Sequence, residues 1–153
     1  MEKKIYPLYH GTNQMSWGKG TVVRGAKGFV FLAGTEGIDP TRSEPGPKGA
    51  VVVEGIEAQT RMALEKIKSR LEEMGSSLEN IVKLIWYIKG TEFPDGVSRS
   101  PNWIKALKVR EEFFKEHCPD FCKNPPPGDL IGVSGLALKD MLIEIACIAV
   151  LPD

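Results

Sequence analysis

The sequence predicts one α+β domain spanning residues 1–153, with two helices on one face of a mixed sheet of about six strands. Three observations predict it. Apolar residues recur at two-residue steps in several short segments and at three- and four-residue steps in two longer ones. The segments follow the order strands, long helix, strand, helix, strands, and right-handed crossovers return both helices to the same side of a sheet. No repeat or linker divides a chain whose length suits a single domain.

Residues 1–18 read as irregular, punctuated by Pro7, Gly11 and Gly18, with a short strand from Ile5 to Tyr9. Thr21 to Arg24 and Phe29 to Ala33 read as strands joined by the turn Gly25-Ala26-Lys27-Gly28. Their β-branched and aromatic residues suit a pleated surface. Residues 34–50 read as a long loop, because Gly34, Gly37, Pro40, Pro45, Gly46, Pro47 and Gly49 interrupt any regular element. A helix is expected over 52–74, with Ile56, Ala63, Ile67, Leu71 and Met74 on one stripe and Gly75 as a left-handed cap.

Ile81 to Ile88 reads as a strand, and 90–101 as a loop. A second helix is expected over 102–117, anchored by Trp103, Leu107, Val109, Phe113 and Phe114. Pro119 and the run Pro125-Pro126-Pro127-Gly128 rule out helix beyond it. Leu130 to Leu136 and Met141 to Leu151 close the chain as strands. The strands are apolar enough that the sheet face opposite the helices calls for a cover, and a second copy of the chain would supply one.

Along the last strand Met141, Ile143, Ile145, Cys147 and Ala149 point one way, and Leu142, Glu144, Ala146, Ile148 and Val150 the other. Glu144 is the one charge on either face. A carboxylate among apolar neighbours is costly unless paired or solvated. It reads either as a structural group bonded to backbone or lysine, or as a ligand-facing acid with a raised pKa.

Composition narrows the partners. Lys plus Arg and Asp plus Glu number 20 each, so the basic excess of a nucleic-acid binder is absent. No stretch reaches the ~18 apolar residues of a membrane span, and Met1-Glu2-Lys3-Lys4-Ile5 has no apolar run behind its charges. Three cysteines, Cys118, Cys122 and Cys147, point to a reducing compartment, so the cytoplasm is the expected location. His117, Cys118 and Cys122 lack an evident fourth ligand, so no metal and no other cofactor is expected. Glu36 and Asp39 read as solvated or turn-capping, and Trp17, Phe29, Phe31, Trp86 and Trp103 as core or interface.

Five segments carry a family resemblance. Phe31-Leu32-Ala33-Gly34-Thr35 through Asp39-Pro40, Glu57-Ala58-Gln59-Thr60-Arg61 with Leu64-Glu65-Lys66-Ile67, Gly75-Ser76-Ser77-Leu78 through Lys83, Phe113-Phe114, and Leu142-Ile143-Glu144-Ile145 with Ile148-Ala149-Val150 resemble, in order, motifs of the Rid family. This family, of reactive-intermediate deaminases, is also called YjgF or L-PSP. The resemblance covers roughly residues 20–151. It implies a chorismate-mutase-like two-layer sandwich, a homotrimer with clefts between subunits, and hydrolysis of reactive enamines and imines to ketones and ammonia. It implies that Glu144 helps place the attacking water, and that backbone groups at Leu130 help hold the substrate. The family's cleft arginine, which grips a substrate carboxylate, is not matched: Gly128 stands in its place, or Asp129 with the alignment shifted by one. Its early tyrosine is replaced by the stretch Trp17-Gly18-Lys19-Gly20, the asparagine of its second helix aligns near Leu107, and about four extra residues fall around Cys118 to Lys123. Losing such an anchor removes about 1.5–3 kcal/mol of bonding to an anion.

Two functional readings follow. In one, a trimer acts on a small nitrogen-containing metabolite, neutral or cationic, in clefts lined by Glu144, Leu130, Gly128, Asp129, Gly34 and Thr35. In the other, the same scaffold is a non-catalytic binder or chaperone-like protein. Endoribonuclease activity, a label some relatives carry, is a third and lesser reading.

Overall fold

The computed structural model describes residues 1–44 and 49–153. Among the described residues the strands are β1 (Glu2–His10), β2 (Asn13–Arg24), β3 (Gly28–Phe31), β4 (Thr35–Glu36), β5 (Ile38–Ser43), β6 (Ala50–Val52), β7 (Ile81–Lys89), β8 (Gly128–Val133) and β9 (Ile143–Leu151). The α-helices are α1 (Ile56–Glu73), α2 (Pro101–His117) and the short α3 (Pro119–Lys123).

The main sheet has the order β3-β9-β7-β8, with β4 also paired to β9. β7 and β8 are parallel, and α2 crosses between them. β3 and β7 both run antiparallel to β9, so they are parallel to each other, and α1 crosses between them. These are the two expected crossovers, and they leave both long helices on one face. The helix-facing residues of β9, Ile143, Ile145, Cys147 and Ala149, are all sealed, as are Leu84, Trp86 and Ile88 of β7. They join Ala63, Leu64, Ile67 and Leu71 of α1 and Trp103, Phe113 and Phe114 of α2 in one core.

The expected α+β sandwich stands, with several local corrections. Residues 1–18 are not irregular: β1 and β2 form a long antiparallel hairpin that absorbs Pro7 and Gly18 at register shifts. β2 therefore pairs with β1 rather than β3. The expected loop over 34–50 contains β4 and the β5–β6 hairpin; its Pro45, Gly46 and Pro47 lie outside the described residues. Helix α1 starts at Ile56 because 50–52 are taken by β6 and Gly55 turns the chain at φ 87°. Met74 is half-exposed, since it caps the helix rather than riding its stripe. Pro119 does not stop helix formation; it opens α3 at a first-turn position where its missing N–H has no partner to lose. The last two strands are shorter than expected, at 128–133 and 143–151.

The cap at Gly75 has the expected form. Gly75 adopts φ 78° and donates to Glu72 O, while Ser76 N–H reaches back to Leu71 O. These are the paired bonds of a Schellman end. Ser76 then donates its hydroxyl to Val150 O, tying the turn to β9.

Candidate functional site

Glu144 sits on the sheet face away from the helices, and three elements define its surroundings. Its direct cross-strand partner on β7 is Tyr87, and on β4 it is Glu36. Directly opposed residues share a face, so the three stand in one row across the sheet. From below, the backbone at Gly34 closes in: a Cβ there would lie 2.6 Å from Glu144 Cδ and 2.6 Å from Oε2. Any side chain at position 34 would therefore displace the carboxyl from this position.

The two carboxyls of the row differ in their partners. Glu36 pairs with Lys66 of α1 at 3.2 Å, and Lys66 also donates to Glu36 O. That pair is largely covered, so Glu36 is neither solvated nor a turn cap as expected. Glu144 has no ion-pair partner among the described residues. Burial pushes its carboxyl above the ordinary carboxylate range, and the negative charge of Glu36 pushes it further. A carboxyl perturbed by burial and by a second acid is a candidate functional group.

Gln59 of α1 positions the strand that carries Glu144. Its Oε1 accepts from Leu142 N–H at 2.8 Å, and its Nε2 donates to Val53 O and Asp140 O. All three bonds are satisfied from a buried side chain, which fixes the entry to β9. Gly37 leaves room for it, since a Cβ there would meet Gln59 at 2.6 Å.

The other expected site residues divide between faces. Asp129 lies on the Glu144 side of the sheet, one strand beyond Ile85, and pairs with Lys83 at 2.8 Å. Gly128 and Leu130 turn toward the helices and border a cleft of about 640 Å³. Thr35 is fully buried; its hydroxyl donates to Ala33 O and accepts from Arg70 Nη1. In this chain, then, Glu144, Gly34 and Asp129 share a face, while the side chain of Thr35 points into the core. Sequence reasoning missed Tyr87 and Lys83, although their places four residues apart in β7, and so on one face, were a usable signal. It also missed Arg110, which borders the cleft from α2.

Asp39 accepts from Thr41 N–H and hydroxyl, the turn-capping role expected of it. Cys147 is sealed in the core, where burial pushes its thiol to about 12. Cys118 is buried and Cys122 exposed, both as free thiols. Trp86 and Trp103 pack edge to face inside the molecule, while Phe29 and Phe31 project from β3, 63% and 71% exposed, onto the Glu144 face.

Comparison with known proteins is consistent with this architecture. The family described as Endoribonuclease L-PSP matches residues 17–151. A RutC family protein of Pyrococcus abyssi is 34% identical over 121 residues, 79% of this chain and 77% of that protein. A 2-iminobutanoate/2-iminopropanoate deaminase of Salmonella typhimurium is 33% identical over 104 residues, 68% of this chain and 70% of the other. The crystal structure of a Rid-family protein from Yersinia pestis superimposes with a TM-score of 0.68 at 20% identity, covering 99% of this chain and 100% of that one.

Proposed function

Because the chain belongs to the endoribonuclease L-PSP family, also known as the Rid or YjgF family, we propose that it hydrolyses a small enamine or imine at Glu144, in a cleft formed between copies of a homotrimer. One observation carries the reading: a carboxyl with a raised pKa, unpaired among the described residues, lying against Gly34 on the sheet face away from the helices. In the ionised form Glu144 accepts a proton from water as the oxygen attacks the C=N carbon. The nitrogen takes up protons and leaves as ammonia, and the carbon becomes a carbonyl. The exposed Phe29 and Phe31 support burial of this face against another copy, and a cytoplasmic setting accords with the free thiols.

The segment that matches the family's arginine reads Gly128-Asp129, and the cation nearest Asp129 is Lys83, already paired to it. This supports a neutral or cationic substrate over a carboxylate-bearing one. Imino acids generated by an amino-acid oxidase, assayed beside an uncharged imine, test the preference. The expected result is faster ammonia release from the uncharged imine, with Glu144→Gln lowering the rate by about 10²-fold or more. Equal or faster hydrolysis of the imino acids would reject the preference, and an unaffected Glu144→Gln would reject the role.

The same missing guanidinium favours a second reading, a non-catalytic small-molecule binder in which Glu144 only orients the ligand. Binding without any turnover in the unaltered protein would select it. RNA cleavage, the activity in the family's description, has less support from a chain with 20 basic and 20 acidic residues and two histidines.

A further inference from the structure

Arg110 lies in the middle of α2 and is 8% exposed. Its Nη2 donates to Ser16 O at 2.7 Å, joining the helix to β2. Its Nε is covered and has no hydrogen-bond partner among the described residues. No carboxylate pairs with it among those residues either. The guanidinium carbon stands 5.2 Å from the centre of the Phe121 ring. An aromatic face recovers part of the cost of burying a cation, but an anion recovers more. Burial lowers the pKa of Arg110, and negative charge on Glu111 and on Cys122 opposes this, yet a guanidinium keeps its proton inside a protein. The side chain thus sets a permanent positive charge within the field of a thiol.

Arg110 and Cys122 both line a pocket of about 490 Å³ between α2 and α3. Phe114 and Phe121, stacked with ring centres 3.6 Å apart, give it an apolar wall. Lys115 and Lys123 add two cations to its lining and Glu111 one carboxylate, so positive charge prevails there. Lys123 stands 4.0 Å from Asp120, but both are exposed, and such a pair is weak. The stretch Cys118 to Lys123 holds the residues that this chain has beyond the family motifs, so the pocket wall they build is its own. Of the three thiols Cys122 is the exposed one, whereas burial pushes up those of Cys118 and Cys147. The thiolate is the nucleophilic form of cysteine, and neighbouring cations favour it.

We propose that Cys122 is a modification site, where it forms a mixed disulfide with an acidic low-molecular-weight thiol whose carboxylate is held by Arg110. The oxidant is the disulfide of that same thiol. The Cys122 thiolate attacks one of its sulfurs; a new S–S bond forms, the old one breaks, and the second half departs as a thiolate that takes up the proton Cys122 has lost. Cys122 is oxidised and the departing half is reduced. The guanidinium answers the carboxylate of the retained half, and the phenyl wall covers its chain. Excess thiol reverses the link. α2 lies across the sheet from Glu144, and the inference does not rest on the imine-hydrolysis reading.

The test incubates the protein with oxidised glutathione, which is acidic, or with bis(2-hydroxyethyl) disulfide, which is neutral. Peptide mass spectrometry maps each adduct, and each rate is divided by that of N-acetylcysteine amide with the same disulfide. The adduct is expected at Cys122, with the normalised rate favouring oxidised glutathione by about tenfold or more. Arg110→Gln should lose that preference while still reacting with the neutral disulfide, and Glu144→Gln should keep it. The comparison of the two disulfides needs no substitution, so it decides the matter even where Arg110→Gln does not fold. Equal normalised rates, or an adduct at Cys118 ahead of Cys122, would overturn the proposal. An undiminished preference in a folded Arg110→Gln would overturn it too, as would its loss in Glu144→Gln.

Discussion

At the scale of single residues, Glu144 and Gln59 show how differently two polar groups behave near the same strand. Glu144 is a carboxyl whose folded pKa stands above its ordinary value of 4.5 because burial penalises the charged form. The folded state consequently binds more protons than the unfolded state between that value and the raised one, so stability declines as pH climbs through this window. Glu144→Gln carries no charge at either end of it. The variant should show a higher Tm than the unaltered protein at pH 8 and nearly the same Tm at pH 4, measured by thermal denaturation in matched buffers. Gln59, by contrast, is buried with every bond made. Gln59→Leu leaves Leu142 N–H and two carbonyls without partners, which should cost about 2–4 kcal/mol in denaturant unfolding. Because Leu142 stands two residues before Glu144, the same variant should also lower any turnover at that site.

Among the elements, α2 has the most to reveal. Ser100 caps it, accepting from Trp103 N–H at 3.3 Å, and Pro101 occupies the first turn. Ser100→Ala should destabilise the protein by about 1 kcal/mol, read as a lower urea midpoint at unchanged slope. The apolar stripe of this helix was legible, since Trp103, Val109, Phe113 and Phe114 are buried as their spacing implies. Arg110 was not legible: helical periodicity sorts apolar from polar positions, and a buried cation looks like any surface arginine. The N-terminal hairpin was equally hidden. Pro7, Gly11 and Gly18 read as breakers, but β1 and β2 accept them at a turn and at register shifts. Pro119 misled in the opposite direction, because the rule against proline holds for helix interiors and not for a first turn.

For the whole molecule, the sheet is covered on one side only. Phe29, Phe31 and Ile131 are exposed large apolar residues on the face that carries Glu144. Such a surface is the expected contact between copies. Sedimentation equilibrium should report a trimer, and Phe31→Glu should shift it toward monomer by placing a charge in the contact. A monomeric unaltered protein would remove the intersubunit cleft from the proposed function.

Taken alone, the sequence determined the α+β class, the order of its principal elements, the two crossovers and the inward stripe of β9, because periodicity and chain order record which side of each segment avoids water. It also singled out Glu144, a lone charge in an apolar alternation. Only the tertiary structure decided which groups meet that carboxyl. Tyr87, Glu36 and Gly34 reach it through strand register, and register depends on pairings between segments distant in the chain. The same holds for Arg110: its burial arises where α2, β2, β7 and α3 converge, a juxtaposition that no local pattern encodes.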